Sequence, residues 1–496
     1  MTNFIFDIYL TLPEIYLSLG ICGLLVYGVL SGGSLHLGYP LLITPVALIS
    51  IQILILTFSL SLAFPYINFF SWNFFLASSF SSIYLKRFII LKSILWIFFT
   101  LKYVNEEKIN AFEYWILSLL TILAFNFLLQ VFDLLGMYLI IELQSLCFYV
   151  LASFKRSSEF STEAGLKYFI LGAFSSAFLL FGSSLIYGVT GATNFSDFSV
   201  LFSGFLIENS LLLLGVFSGL ILLVSALFFK LSAAPFHMWS PDVYEGSPTN
   251  TMAFFSLFPK IIIVTLLVKI FIISFHDFIN LGQNIFFSCA FFSLLFGTLG
   301  AFAQKKWKRF LAYSSINHIG FILIGFISNE IFNIFSIFTY LFIYIITIVA
   351  IFSLVLDLRI YNYPQDNQIR FISEILNSGN TNPLLAISIT LILFSMAGIP
   401  PLSGFFAKVF IILVGIQNGI YSLIIFSVTM SSIACFYYIR IIQSMYFFKI
   451  KKWPLFVPIT KINSFILGIS CFVIFFFFFD IELFSILLTR ISITFI

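Results

Sequence analysis

Glu142 in MYLIIELQSLCFYV, Lys230 in LLVSALFFKLSAAPF, Lys260 in FFSLFPKIIIVTLLV and Lys408 in GIPPLSGFFAKVFIILV each stand inside a stretch apolar enough to cross a bilayer. A charge near the bilayer centre costs about 2.5–3.5 kcal/mol, so such residues face a bundle interior and serve ion or proton movement. Four of them, unpaired and facing lipid, would cost roughly 10–14 kcal/mol. Burial depresses a lysine's proton affinity, so that it alternates between charged and neutral forms, and a carboxylate nearby favours the charged form. His318 in YSSINHIGFILIG adds a group whose titration near neutrality suits a relay. The chemistry these types suggest is proton transfer inside a membrane.

Each residue has a plainer reading. Glu142 reads alternatively as a buried acid bonded to a neighbouring helix, and His318 as a bridge between helices. Lysines near helix ends snorkel. Lys230 follows a long apolar run, and Lys408 stands between a proline break and FIILV, so snorkelling is awkward for both. Lys260 follows Pro259 and opens a strongly apolar run, which leaves its snorkelling reading open. Lys269, near the end of the same run, reads as a snorkelling residue. The stretch PFHMWSPDVYEGSP carries His237, and its Pro241, Asp242, Glu245 and Gly246 read as a turn, with Ser247 as N-cap and Pro248 at the first helical position. Cys22, Cys147, Cys289, Cys435 and Cys471 are scattered without metal or cluster spacing and read as packing residues, so no metal site is expected. No phosphate-cradling or dinucleotide-binding glycine motif occurs, and no cofactor-binding site is expected in this chain.

The elements that must position these groups follow from composition. Of 496 residues, 61% are hydrophobic and 9% charged, against about 25% charged in soluble domains. The chain therefore reads as an all-α polytopic membrane protein, and a net charge of +4 gives no reason to expect a nucleic-acid partner. Apolar runs fall near 11–31, 40–64, 86–103, 113–131, 133–154, 164–190, 209–235, 250–273, 283–302, 310–327, 332–356, 384–416, 419–447 and 463–490, here called spans one to fourteen. Lys102, Lys108, Lys155, Arg156, Lys305, Lys306, Lys308, Arg309, Arg359, Arg370, Lys449, Lys451 and Lys452 leave odd-numbered spans; Lys86 and Arg87 leave an even-numbered one. The positive-inside rule puts the first set in the cytoplasm or matrix and both termini on the opposite side. Spans seven and twelve are broken, at Pro235 and at Pro400–Pro401. Breaks five spans apart predict two inverted five-helix repeats, a transporter pattern whose broken helices mark the path, and the same offset sets Glu142 against His318. Residues 1–112 then form N-terminal helices, 113–275 the first repeat, 276–447 the second and 448–496 a C-terminal helix. Seventy phenylalanines fit an AT-rich genome, an organelle's or a bacterium's. The N-terminus MTNFIFDIYLTLPEIYL has neither signal-peptide nor transit-peptide character.

Four blocks carry a resemblance: IELQSLCFYVLASFKRSSEFSTEAGLKYFILGAFSSAFLLFG, FKLSAAPFHMWSPDVYEGSPT, KRFLAYSSINHIGFILIGF and AGIPPLSGFFAKVFIIL. They resemble the subunit 2 family of mitochondrial respiratory complex I, the NADH:ubiquinone oxidoreductase, over most of 130–450. Outside that range only hydropathy matches. The resemblance implies an antiporter-like subunit of fourteen helices with a central charged axis, whose positions here are Glu142, Lys230, Lys260 and Lys408, with His318 at the helix-ten histidine. It implies the mitochondrial inner membrane, other membrane-arm subunits and lipids as partners, and a neighbouring arm that uses FMN, Fe–S clusters and ubiquinone. An Mrp-type cation/proton antiporter subunit, and the chloroplast or bacterial counterpart of the dehydrogenase, share these features. A scaffold bundle that has lost pumping would have no reason to carry the cost of the charges.

Overall fold

The computed structural model describes residues 2–32, 42–63, 68–107, 109, 111–203, 210–327, 331–362, 365–447 and 455–493. Lys108, Lys449, Lys451 and Lys452 of the loop-charge pattern lie outside the described residues. Among the described residues, eleven helices are long and apolar enough to cross a membrane. The other three apolar runs are helical too. One is Trp307–Ile324, which opens on Lys308 and Arg309; the others are split into Pro383–Ala397 with Ser403–Gln417, and Lys461–Phe476 with Ile481–Ile493. Two antiparallel hairpins, Phe69–Ser71 with Leu76–Ser78 and Arg359–Asn362 with Gln365–Gln368, sit between spans.

Helices suit an apolar solvent because they satisfy their backbone groups internally. Their buried hydroxyls follow the same rule: Ser118, Thr121, Ser175 and Thr265 each donate to a carbonyl three residues back in their own helix. The centre of the first half is aromatic. Phe125, Phe148, Phe254 and Trp96 meet ring to ring, joining spans three, four, five and eight.

Loops leaving odd-numbered spans gather on one face. Lys155 pairs with Glu107 at 2.6 Å and Arg359 with Glu106 at 2.8 Å. Lys306 pairs with Glu245, and Arg309 with Glu245 and Asp242. Loops leaving even-numbered spans interlace on the other face, where Phe132 N donates to Phe75 O, Phe195 N to Phe132 O, and Leu134 N to Thr193 O.

Four expectations need correction. The helix of span three begins at Phe80, capped by Ser79 and Ser82, so Lys86 and Arg87 lie inside it rather than in a loop. Lys86 is buried and ion-paired with buried Glu14, while Arg87 donates to Ser61 O at 2.7 Å. Residues Trp239–Gly246 form a helix, not a turn, because Asp242 and Glu245, three residues apart on one face, meet Arg309 and Lys306. Pro248, not Ser247, precedes the helix Thr249–Leu257, and Ser247 closes the helix before it. Lys269 does not snorkel: it is buried and donates to Leu129 O, with Val131 O at 3.5 Å.

Candidate functional site

A lysine stands beside each helix break, and one of the two, Lys408, meets a carbonyl that the broken helix leaves free. Pro383–Ala397 ends in Gly398 at φ +82°, a left-handed cap that only glycine adopts without strain. The freed Ala397 carbonyl accepts from Lys408 Nζ at 2.7 Å, as a helix C-terminus favours. Lys230 lies in the last turn of Ser210–Leu231; beyond it Ser232 turns to φ +62° and the chain is non-helical up to Trp239. Trp239 Nε1 donates back across the break to Phe229 O at 2.8 Å. His237, within the break, stacks on Phe296.

The second half of the predicted axis is a connected series. Lys260, buried at the start of Pro259–Lys269, donates to the Tyr344 hydroxyl at 2.6 Å and stands 4.7 Å from its ring. The His318 ring lies 5.3 Å from the Tyr344 ring, and its Nδ1 shares a hydrogen bond with the Tyr340 hydroxyl at 2.7 Å. His318 Nε2 has no protein partner. A small cavity bounded by His318, Tyr340, Tyr344, Ser395 and Lys408 leaves about 10 Å³ for the centre of a water molecule, close to the least volume that holds one. The series thus runs Lys260, Tyr344, His318, cavity, Lys408.

Glu142 and Lys230 are farther apart than a direct pair. Their charged groups make no ion pair, and Tyr149, two turns beyond Glu142 on the same helix, has its ring 5.8 Å from Lys230 Nζ. Lys230 Nζ and the Tyr149 hydroxyl are both buried without a protein partner, and no hydrogen bond joins Lys230 to Lys260. Glu142 is half-buried; its Oε2 accepts from Ser145 Oγ at 3.3 Å, and exposed Leu135, Leu139, Leu143, Leu146 and Val150 surround it. Tyr149, Tyr340 and Tyr344 were not singled out from the sequence, although Tyr340 and Tyr344 at i, i+4 in an otherwise apolar run are a readable signal.

A cavity of about 260 Å³ opens on the basic face, walled by Tyr103, Glu107, Lys155, Glu245, Lys306 and Lys308 among others. Beside it, partial burial raises the Asp242 carboxyl, but the Arg309 hydrogen bond and the Lys167 charge outweigh this and hold it below the usual aspartate range.

Broken helices, intramembrane lysines and a buried series of polar side chains define an antiporter-like membrane subunit. Residues 132–434 match the family described as "NADH:quinone oxidoreductase/Mrp antiporter, TM", and the chain belongs to it. Within that family it is similar to NADH-ubiquinone oxidoreductase chain 2 of Marchantia polymorpha, 43% identical over 480 residues that cover 95% of each chain. In fold it is similar to a chain of respiratory complex I from Thermus thermophilus, with TM-score 0.77, 23% identity and coverage of 95% of this chain and 98% of that one. It is also similar to a chain of the Mrp complex from Dietzia, with TM-score 0.78, 18% identity and 97% coverage of both.

Proposed function

We propose that this chain is a proton-translocating membrane-arm subunit of NADH:ubiquinone oxidoreductase in the mitochondrial inner membrane. The observation that carries the reading is the buried series from Lys260 through Tyr344 and His318 to Lys408. Glu142, Lys230, Lys260, His318 and Lys408 are its proton-carrying groups. The breaks at Pro235 and Pro400–Pro401 supply free carbonyls and room for water. Redox chemistry belongs to partner subunits with FMN, Fe–S clusters and ubiquinone, and this chain holds no cofactor. Residues 113–275 and 276–447 serve as inverted halves, flanked by 1–112 and 448–496. The basic face meets the matrix and both termini meet the intermembrane space. A half-buried carboxylate on an exposed leucine stripe suits contact with a neighbouring antiporter-like subunit, and lipid covers the rest of the apolar surface. An Mrp-type antiporter subunit would share this fold, but the similarity to dehydrogenase subunits, 43% over nearly the whole chain, favours the oxidoreductase.

The test compares Lys230→Met with Lys102→Met in the assembled complex, reading protons moved per quinone reduced. Lys102 is one-third exposed on the basic face and pairs with Glu106 at 3.5 Å. The first variant should assemble and lose pumping, the second should lose little. Equal losses, or full pumping without Lys230, would overturn the reading.

A further inference from the structure

The helix Pro259–Lys269 carries Lys260 near one end and Lys269 at the other. Nine residues at about 1.5 Å each separate them by roughly 13–14 Å along the axis, close to half of a hydrocarbon core about 30 Å thick. Lys269 therefore brings a second intramembrane charge to the face where even-numbered loops interlace. There its helix packs against Glu113–Gln130, the same helix against which the helices of Glu14 and Lys86 pack, and those two are ion-paired. All three are buried: Glu14 is 1% exposed, Lys86 5% and Lys269 4%.

The charges do not balance. Glu14 and Lys86 neutralise each other, whereas Lys269 has only the carbonyls of Leu129 and Val131 and no acid within ion-pair distance among the described residues. Two other charges at this face are engaged elsewhere: Asp133 accepts from Thr193 Oγ1, Leu135 N and Gly136 N, and Arg87 donates to Ser61 O. With all three ionised, the cluster holds an excess positive charge in an apolar interior, and loss of one proton restores neutrality. Glu14 Oε2 is buried with no protein partner, an acceptor through which that proton can pass on its way out of the cluster. On the packed neighbour Glu113–Gln130, Asn126 and Gln130 are four residues apart on one face. Their side-chain oxygens are also buried without partners. Together with Thr265 on the lysine helix, they set polar atoms between Lys260 and Lys269 in depth.

We propose that Glu14, Lys86 and Lys269 form a second proton-exchange site, through which the row at Lys260 communicates with the face opposite the basic loops. A proton leaves an ammonium for the Glu14 carboxylate, giving a neutral amine and a neutral acid; the acid then releases it to water and the amine is recharged from the row. The inference rests on the reading of Lys230, Lys260, His318 and Lys408 as proton carriers.

The experiment replaces the pair with packed apolar side chains, Glu14→Leu with Lys86→Leu, in the assembled complex reconstituted in vesicles. A buried pair that only clamps helices is replaced in this way without loss of stability, so a clamp predicts the wild-type ratio of protons per quinone. The proton site predicts a ratio as low as that of Lys230→Met. Lys269→Met, which leaves the Glu14–Lys86 pair in place, should lower it equally and serves if the double variant does not assemble. A wild-type ratio in either variant overturns this site. If Lys230→Met also pumps normally, the row itself is refuted; if Lys230→Met alone fails, only the second site falls.

Discussion

Tyr344→Phe removes one oxygen atom from the centre of the buried series. The hydroxyl is the acceptor for Lys260 Nζ at 2.6 Å, whereas the ring, 4.7 Å away, remains in the variant. Shape and ring contact persist, so packing should be unchanged. A hydrogen bond to a charged group contributes about 1.5–3 kcal/mol. At about 1.36 kcal/mol per tenfold, the equilibrium that loads Lys260 with a proton changes by about 10- to 150-fold. Tyr344 is also the residue whose ring lies 5.3 Å from that of His318, so the variant removes the polar link from Lys260 to this series while the ring contact stays. Proton uptake by vesicles, driven by quinone reduction and followed with a pH-sensitive dye, measures the effect, with assembly checked by native electrophoresis. Tyr361→Phe, an exposed hydroxyl on the hairpin Arg359–Gln368, is the control and should pump normally. Normal pumping by assembled Tyr344→Phe would refute the idea that Lys260 and His318 exchange protons through this residue.

Gly398→Ala should cost about 1–2 kcal/mol for the left-handed backbone alone. Its new Cβ would lie 2.8 Å from Lys408 Cδ, so pumping should fall with the lysine displaced from Ala397 O, whereas wild-type pumping would separate the break from the site. Asp242 is held below its ordinary 3.8 in the folded chain, so its contribution to stability is present above that pH and is lost as pH falls through the folded value. Asp242→Asn should therefore flatten the acid limb of a thermal-stability profile, and an unchanged limb would discount the Arg309 contact. Lys305→Cys should react with an impermeant thiol reagent only from the matrix side and Ser199→Cys only from the other. Labelling of both from one side would refute their placement on opposite faces, and an exchange of sides would reverse the topology.

The intramembrane lysines and proline breaks were legible because charge and proline stand out against an apolar background, and they locate the site. What joins them was less visible. Tyrosine counts as apolar in a hydropathy reading, so Tyr344 and Tyr340 disappeared into span eleven although their hydroxyls make the connections. The pairing of Glu14 with Lys86 links residues 72 positions apart, and only the packing of spans one and three against spans two and four brings them together. Lys269 misled for a related reason. Its place near the end of a run suggested water nearby, but the interlaced loops at Val131 cover that end and supply carbonyls instead. Position along a span gives depth, not what lies over it.

A newly inserted copy of this chain, before it meets any neighbour, turns Glu142 and its ring of leucines toward lipid tails. An acid facing lipid tails costs on the order of a few kcal/mol, which the neighbour proposed above would relieve by covering it. The solitary chain is thus the less durable form, and its lifetime depends on the supply of whatever covers that stripe. Membrane proteases that sample loosened helices would remove the surplus, so the carboxylate proposed for proton work would also let the cell keep this chain in step with its neighbours.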